Sequence, residues 1–330
     1  MTVLLPVAGD WGAGSVAAPH NKANVGEPLI SETLFSFSGR AGGVALDVDG
    51  AAVVSDSASG TIWRIDGDGT ARPMMGTAVR HELSAEPLGL STPAGLALSP
   101  DGSMFVTDTS GHRVCALSLD GRFRVVAGSA NGYRDGPAHE ALFRFPSDVA
   151  FGPEGSCYVA DTGNDRIRRI SLDGIVSTLA GSIYDYGNGH GPHGRFRRPG
   201  ALDVDADGVC YVADTGNNAI RQITPDGEVT TLAGAPGGGD RDGHRRGVGL
   251  RWPTGLAVGV DGSVWVVDHG NGRLRYITPD GTSTTHLQLS APFWPTAVAM
   301  SADGAVIVAG TELDDGHVEK GWLKVFGTSR

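Results

Sequence analysis

Short apolar runs rich in Val, Ile, Leu and Tyr recur along the chain, and turn residues separate them. Each repeating unit has four such runs. An acidic residue followed by glycine comes after the first run in all six units and after the third run in five. Glycine accepts positive φ without steric cost, so this pair between apolar runs indicates a β-hairpin. The pattern therefore predicts six antiparallel units of four short strands.

The units align closely with one another. The stretch Phe145–Ile170 matches Arg198–Ile223, and Thr-Leu-Ala-Gly follows each of them at 178–181 and 231–234. Radial repetition of four-stranded units is typical of a β-propeller, which protects its sheet edges by closing into a ring. One aspartate ends the second run in five units, and we expect it to cap the loop that follows; glycine takes its place in the sixth. These residues are Asp56, Asp108, Asp161, Asp214, Asp268 and Gly310.

The repeat predicts a single propeller domain over residues 1–330. The sixth unit has only three runs, whereas residues 3–9 resemble the fourth run of the third unit, at 176–181. We therefore expect residues 1–9 to complete the sixth blade and close the ring. The predicted blades are 40–76, 92–128, 145–181, 198–234, 252–288 and 294–327.

The third and fourth units carry the motif Val-Ala-Asp-Thr-Gly-Asn-x-x-Ile-Arg-x-Ile, followed by Thr-Leu-Ala-Gly. This motif resembles the NHL repeat, and the resemblance covers essentially the whole chain, with blades one and six diverging most. The resemblance implies an all-β, six-bladed propeller. NHL-like propellers serve as interaction platforms, and related six-bladed propellers include lyases and hydrolases, so the fold leaves the function open.

The charge composition narrows the classes of partner that the protein is expected to bind. The 26 basic and 37 acidic residues give a net charge of −11, which argues against nucleic acid and anionic membranes as partners. No apolar window is long enough to span a membrane. The start of the chain lacks a basic segment before its apolar stretch, and there are only three cysteines, so we expect a reduced, cytoplasmic protein. Cys157 and Cys210 occupy equivalent strand positions and are interpreted as core residues.

Arginines gather in the long segments that connect blades three, four and five. Residues 182–198 and 235–252 each have a net charge of +2. Arg144, Arg197 and Arg251 each lie two residues before the proline that opens a blade, so they form a predicted half-ring for a carboxylate or phosphate. The alternative is a set of solvated surface arginines. The other predicted ligand-binding residues are Arg198, Tyr133 and Tyr186.

Two carboxylates break the pattern of the innermost runs, where Gly and Ala otherwise prevail. Asp148 and Asp203 lie on adjacent blades, and a charge near a crowded axis is unfavourable unless it is paired or binds a cation. We interpret them as candidate acid–base groups, or as ligands of a divalent cation. The alternatives are two structural hydrogen-bonding aspartates or a salt bridge to the arginine half-ring.

His190 and His244 each follow a loop glycine at equivalent positions, and His269 replaces the motif threonine after Asp268. A histidine can exchange protons or bind a metal. His190 and His244 therefore join the candidate catalytic residues. With His269 they are also the candidate metal ligands, and the alternative is that all three are simply exposed loop residues.

Two functions remain open. The first is a small-molecule enzyme in which the arginines anchor an anionic substrate and an aspartate or histidine moves a proton, giving lyase, isomerase or hydrolase chemistry. At the level of fold, such an enzyme would resemble peptidyl-hydroxyglycine amidating lyase and strictosidine synthase. The second is a non-catalytic NHL platform that binds a protein or peptide. No nucleophile elbow, phosphate loop or dinucleotide fingerprint is present in the sequence.

Overall fold

Six antiparallel sheets stand around a common axis in the computed structural model, which describes residues 30–75, 89–182, 184–289, 293–313 and 319–327. The innermost strand of each sheet contacts the innermost strand of the next, and the sixth contacts the first. The described helices are all single 3₁₀ turns, and none is long and apolar enough to cross a membrane. The prediction of an all-β, six-bladed propeller is confirmed.

Within each blade the strands follow one another from the axis outward, apart from the outermost strand of blade 6. Blade 1 contains Ala41–Leu46, Ala52–Asp56, Thr61–Ile65 and Ala71–Met75, and blade 2 contains Pro93–Leu98, Met104–Asp108, Arg113–Leu117 and Phe123–Ala127. Blade 3 contains Asp148–Phe151, Cys157–Asp161, Arg166–Ile170 and Ile175–Ala180, and blade 4 contains Ala201–Val204, Cys210–Asp214, Ala219–Ile223 and Glu228–Gly234. Blade 5 contains Pro253–Val258, Val264–Asp268, Arg273–Ile277 and Thr282–Gln288, and blade 6 contains Phe293–Met300, Val306–Leu313, Glu319–Gly327 and Ile30–Ser38.

Short elements lie between the blades. A two-residue strand from each of three connecting segments adds a fifth strand to blades 3, 4 and 5: Gly136–Pro137, Gly189–His190 and Gly243–His244. The 3₁₀ turns are Thr162–Asn164, Gly191–His193, Thr215–Asn217, Arg245–Gly247 and His269–Asn271.

The acidic residue–glycine pairs form tight turns, as the sequence predicts. In each of the eleven turns the glycine N–H donates to the carbonyl three residues earlier, for example Gly50 to Asp47 at 3.0 Å. The eleven glycines have φ between +76° and +95°, a region that residues with a Cβ rarely adopt. All eleven turns lie on one face of the ring, called the turn face below. The opposite face carries the loops between second and third strands and is called the loop face.

The outermost strand of blade 6 comes from the start of the described chain. Ile30–Ser38 pairs antiparallel with Glu319–Gly327, with Ser31 opposite Phe326 and Ser38 opposite Lys320. The predicted closing strand, residues 1–9, lies outside the described residues. The repeat pattern did not indicate a strand at 30–38, because that segment lacks the Thr-Leu-Ala-Gly ending of the other outer strands.

The hydrophobic core lies between neighbouring blades. One cluster, for example, joins Val114 of blade 2 to Val149 and Val159 of blade 3. Cys115, Cys157 and Cys210 are free and buried, and burial raises the pKa of the Cys115 thiol to about 12. The interpretation of Cys157 and Cys210 as core residues is confirmed.

Each second-strand aspartate of blades 3, 4 and 5 forms a salt bridge with a buried arginine seven residues later. The Nη1–Oδ2 distances are 2.7 Å for Arg168 to Asp161, and 2.9 Å both for Arg221 to Asp214 and for Arg275 to Asp268. All six side chains have 0% exposure. These arginines were not singled out from the sequence, since a strand arginine is normally solvent-facing.

The predicted capping role of the aspartates needs correction in these blades. Asp161 makes no side-chain hydrogen bond to the backbone of the 3₁₀ turn that follows it. Its Oδ2 instead accepts from the Asn164 amide at 2.9 Å, and its Oδ1 accepts the Arg144 N–H at 2.7 Å. Asp161 therefore joins the segment that contains Arg144 to the loop that contains Asn164. Its Oδ2 is occupied by Arg168 and Asn164.

Candidate functional site on the loop face

The arginine half-ring lies at one repeated place in blades 3, 4 and 5. The backbone N–H of Arg144, Arg197 and Arg251 donates to the second-strand aspartate of its own blade at 2.7, 2.8 and 2.7 Å. Each side chain then crosses the loop glycine: a Cβ on Gly163, Gly216 or Gly270 would lie 2.5–2.6 Å from the arginine Cγ. All three arginines are exposed on the loop face.

The three guanidinium groups differ in what they contact. Arg197 stacks over the Tyr184 ring, 4.5 Å from its centroid, and donates from Nε to the Tyr184 hydroxyl. The guanidinium groups of Arg144 and Arg251 form no salt bridge with any carboxylate in the described part of the chain. They remain able to bind an anion.

In blades 3, 4 and 5 the residue before the blade-opening proline has an unusual backbone. Phe145, Arg198 and Trp252 have φ of 49°, 51° and 49°, which is strained for a bulky residue and is often retained at functional sites. The side chains are exposed, by 42% at Phe145 and 58% at Trp252, and by 37% at the equivalent Trp294 of blade 6. An aromatic residue before proline at equivalent repeat positions is the sequence signal that marks these side chains.

A side chain of the preceding blade fixes each strained residue. The backbone N–H groups donate to a nitrogen or oxygen of the residue that ends the neighbouring loop, itself in the left-handed region. The pairs are Phe145 to His112 Nδ1 at 3.1 Å, Arg198 to Asp165 Oδ1 at 2.7 Å and Trp252 to Asn218 Oδ1 at 2.9 Å.

His269 links blade 5 to blade 6. In blades 2, 3 and 4 the equivalent threonine donates its hydroxyl to the opening-proline carbonyl of the next blade, as Thr215 does to Pro253 at 2.6 Å. His269 Nδ1 lies 2.8 Å from the Pro295 carbonyl. A carbonyl oxygen can only accept, so Nδ1 carries the hydrogen and Nε2 of the neutral ring has a free lone pair. The ring centroid lies 5.9 Å from that of Trp294.

Asp148 and Asp203 lie on the innermost strands of blades 3 and 4 and are partly buried. Each carboxylate accepts one N–H from its own strand and one from the next blade. Burial raises the pKa of Asp148 to about 7 and that of Asp203 to about 6, and the charge of Asp203 adds to the shift at Asp148. The donors are Val149 and Leu202 for Asp148, and Val204 and Val258 for Asp203, at 2.8–2.9 Å.

These contacts bear on the alternatives for the two aspartates. Neither carboxylate forms a salt bridge to the arginine half-ring within the described ranges. Both bridge adjacent blades through hydrogen bonds, as the structural interpretation expects, and both have a pKa near neutrality, which an acid–base role requires. Their catalytic assignment stays a prediction.

His190 and His244 lie at the outer edge of the ring, away from the innermost strands that carry Asp148 and Asp203. Their two-residue strands pair with the outermost strands of blades 4 and 5, with His190 opposite Glu228 and His244 opposite Thr282. His244 Nδ1 is 3.2 Å from the Thr282 hydroxyl. The connecting segments descend along the outer edge of the ring, so these histidines reach the rim beside the turn face.

Tyr133 and Tyr186 hold the buried arginines from above. Their hydroxyls lie 3.0 Å from the hydroxyls of Thr178 and Thr231 on the outermost strands. The Arg221 guanidinium lies 4.8 Å from the Tyr186 ring centroid, and Arg168 lies 5.0 Å from that of Tyr133. These contacts give both tyrosines a structural role.

The described residues contain no preformed cluster of metal ligands. Within the described parts of the chain, no three His, Cys, Asp or Glu side chains come together in a way that could hold a metal ion. The candidate ligands His190, His244 and His269 lie on three different structural elements, with the first two on the rim. The divalent cation therefore stays an untested prediction.

The fold and the repeat together define the class of protein as a six-bladed β-propeller. Residues 250–275 match the family model of the NHL repeat, which confirms the resemblance seen in the sequence.

The chain is similar to parts of longer proteins. It is 30% identical over 206 residues to the chloroplastic protein SUPPRESSOR OF QUENCHING 1 of Arabidopsis thaliana, covering 57% of this chain and 19% of the relative. It is 29% identical over 221 residues to Teneurin-4 of Homo sapiens, covering 57% and 8%. The matched segments thus span about a fifth or less of these relatives.

Solved structures of similar fold include enzymes. A streptogramin B lyase has a TM-score of 0.58 and 16% identity, covering 92% of this chain and 88% of that one. A gluconolactonase from Xanthomonas campestris has a TM-score of 0.64 and 13% identity, covering 90% of each chain. A catalytically inactive histidine-to-alanine variant of virginiamycin B lyase from Staphylococcus aureus, with quinupristin, has a TM-score of 0.58 and 15% identity, covering 91% and 99%. At these identities the likeness shows the fold alone.

Proposed function

We propose that the protein is a small-molecule enzyme whose site lies on the loop face where blades 5 and 6 meet, with His269 as the group that moves a proton. The observation that carries this proposal is the hydrogen bond between His269 Nδ1 and the Pro295 carbonyl at 2.8 Å. It fixes one tautomer and leaves Nε2 as a positioned base, which is the arrangement that general base catalysis needs.

The surroundings of His269 suit an anionic substrate with a flat apolar part. Arg251 lies over Gly270, the residue next to His269, and its guanidinium is exposed. Trp252 and Trp294 present exposed rings on the same face. An arginine can bind a carboxylate or phosphate through two parallel hydrogen bonds, and the indole rings can stack on a planar group. Arg144, Arg197 and Arg198 extend the positive surface across blades 3 and 4.

Proton transfer is the chemistry that this arrangement supports. Nε2 of His269 would accept a proton from the bound substrate or from water, and the Pro295 carbonyl would stabilise the resulting imidazolium through the Nδ1 hydrogen bond. The reaction class is elimination, isomerisation or hydrolysis. Asp148 and Asp203, with pKa values raised to about 7 and about 6, are candidate proton carriers deeper in the ring.

The similar structures support an enzyme without identifying its substrate. Lyases and gluconolactonases use this fold, and in one lyase the replacement of a histidine by alanine gives an inactive protein. A histidine can therefore be essential for catalysis in an enzyme with this fold. We extend that role to His269 as part of the proposal.

Ligand-induced stabilisation tests the proposal. The compounds to test are benzoate, phenyl phosphate and aromatic lactones. At least one of these classes should raise the melting temperature of the wild-type protein, because bound ligand stabilises the folded state. The Arg251→Ala variant should lose the shift with benzoate. His139→Ala is the matched control, since His139 is 80% exposed on another connecting segment.

The next step measures turnover of any stabilising compound. His269→Ala should lower the rate by at least a hundredfold, within the range general base catalysis contributes, while His139→Ala keeps the wild-type rate. Equal rates for His269→Ala and the wild-type protein would remove His269 from the mechanism. A panel that stabilises nothing would count against the enzyme.

The second candidate is an interaction platform for a protein or peptide. Its specific support is that the curated relatives are long chains in which the matched part is a fifth or less of the whole. The exposed aromatic side chains of the loop face would then contact a partner surface. This alternative predicts that Trp252→Ala and Trp294→Ala abolish partner binding, whereas His269→Ala does not.

A further inference from the structure

A polar cleft lies on the rim of the propeller, between blades 4 and 5. It encloses about 550 Å³, and the loop of blade 5 forms one wall with His244, Arg245 and Arg246. Asn188, Thr230 and Thr231 of blade 4 form the other wall. No lining residue carries a carboxylate. A carboxylate oxygen of Asp280 lies 3.9 Å from His244 Nδ1.

The blade 4 wall presents hydrogen-bond donors. Asn188 Oδ1 accepts from the Thr231 hydroxyl at 3.1 Å and from Arg221 Nη2 at 3.0 Å. Two donors on one oxygen fix the amide orientation, so the Asn188 NH₂ group is the one left available. This group makes no hydrogen bond to any residue in the described part of the chain.

The blade 5 wall adds the positive charge. Arg245 and Arg246 are exposed, and their guanidinium groups form no salt bridge with a described residue. The Arg245 backbone N–H donates to the Gly281 carbonyl at 2.7 Å, which anchors the loop to the blade. His244 Nδ1 is close to the Thr282 hydroxyl, so Nε2 is the ring nitrogen left for a ligand.

The repeat supplies an internal comparison. The residues equivalent to Arg245 and Arg246 are Ala138 and His139 in the segment before blade 3, and Gly191 and Pro192 before blade 4. Gly191 has φ of +55° and Arg245 has φ of +50°. Glycine adopts this conformation without strain, whereas arginine does not. Arg245 therefore presents an exposed side chain at a position where the backbone conformation favours glycine.

We propose that this rim cleft binds a phosphate group, as free phosphate or as a phosphate monoester, through Arg245, Arg246 and His244 on one side and the Asn188 amide on the other. Guanidinium and amide donors around a site without carboxylates match the acceptor oxygens of a phosphate dianion. The cleft lies on the rim, apart from the loop-face site at His269, so the two proposals stand independently.

Titration with inorganic phosphate and with phenyl phosphate, followed by calorimetry, tests the assignment. The key variant is Arg245→Gly combined with Arg246→Pro, which copies the blade 4 sequence and relieves the backbone, so it should fold. We expect the wild-type protein to bind both probes and the double variant to bind them at least tenfold more weakly. His139→Ala, at the equivalent place before blade 3, should bind as the wild-type protein does.

Arg251→Ala separates the two sites. Phosphate binding that survives Arg251→Ala and is lost in the Arg245→Gly, Arg246→Pro variant supports the rim site. Binding lost in Arg251→Ala but retained in the double variant would place the phosphate on the loop face and overturn the assignment. Absence of binding by the wild-type protein to either probe would also overturn it, without affecting the proposed role of His269.

Discussion

Blades 3, 4 and 5 have a polar interior built on a buried arginine, whereas blades 1, 2 and 6 carry a different residue at that position. In the first group a fully buried arginine sits on the third strand, facing a fully buried aspartate of the second strand. The equivalent third-strand residues in the other blades are Trp63, Cys115 and Lys324.

Blade 6 shows how the polar pair can be replaced. Gly310 occupies the aspartate position, and a Cβ there would lie 2.2 Å from the Trp322 ring, which fills the space. Lys324 places its ammonium 4.5 Å from the Phe293 ring centroid and 5.4 Å from that of Trp322. A cation–π contact thus takes the place of the ion pair.

The buried arginines anchor the long segments that connect the blades. Arg168, Arg221 and Arg275 each donate to two backbone carbonyls of the segment that covers their own blade, at 2.8–3.1 Å. The polar interior therefore holds the loops that carry Arg144, Arg197 and Arg251. The difference teaches that one set of arginines is buried and structural and the other is exposed on the loop face, although both belong to the same repeat.

The largest expected effect comes from breaking one buried pair. Arg221→Met should lower the free energy of unfolding by about 3–5 kcal/mol, because Asp214 is left charged and buried without its partner. Chemical denaturation measures this directly. Arg197→Ala, which removes an exposed arginine from the same blade, should change it by less than about 0.5 kcal/mol. Equal stabilities for the two variants would contradict the comparison.

The inner aspartates should make stability depend on pH. The folded pKa values of Asp148 and Asp203, about 7 and about 6, lie above the value of roughly 3.9 for an unfolded aspartate. The folded state therefore holds extra protons between these values, and stability should fall as pH rises from about 4 to about 7.

Asp148→Asn sharpens this prediction. The amide cannot ionise, so the variant should lose about 3–4 kcal/mol of the wild-type decline across that range. It should also be less stable than the wild-type protein near pH 4, because one backbone N–H loses its acceptor. Melting temperatures from pH 4 to pH 8 provide the measurement. An unchanged pH dependence would show that Asp148 does not titrate in this range.

Blade 6 can be tested from the opposite direction. Gly310→Ala should destabilise the protein by about 1–3 kcal/mol, because the new Cβ overlaps Trp322 in a closely packed interior. Gly237→Ala is the matched control, because no atom lies within 4 Å of a new Cβ there and Gly237 is not at positive φ. A Gly310→Ala variant as stable as the wild-type protein would mean that Trp322 repacks freely.

The smallest expected effect concerns the tyrosines above the buried arginines. Tyr186→Phe keeps the ring over Arg221 and removes only the hydroxyl contact with Thr231. A loss of about 0.5–1 kcal/mol is expected for one hydrogen bond, and ligand binding should be unaffected. A Tyr186→Phe variant with normal stability but impaired ligand binding would return Tyr186 to the ligand-binding set.

The repeat made the fold predictable, because an acidic residue–glycine turn specifies a hairpin through local backbone chemistry alone. It also aligned Arg144, Arg197 and Arg251 correctly, since equivalent positions in a repeat have equivalent places in space. The rim position of His190 and His244 was not predictable. Spacing does not show that a connecting segment turns down along the blade and adds a strand to its edge.

The sequence did not predict the burial of Arg168, Arg221 and Arg275, for a related reason. Alternation along a strand predicts which face a side chain takes, but it does not reveal that a loop covers that face. The backbone strain at Phe145 and Trp252 likewise depends on contacts with the preceding blade, through His112 and Asn218, that lie 33 or 34 residues away in sequence.

Nitrogen NMR of the His269 ring tests the central claim most directly. The account predicts that at high pH the neutral ring carries its hydrogen on Nδ1, and that the Nε2 resonance shifts when a stabilising anionic compound is added. A ring protonated on Nε2 instead, or an Nε2 resonance that no stabilising compound perturbs, would contradict the proposed site.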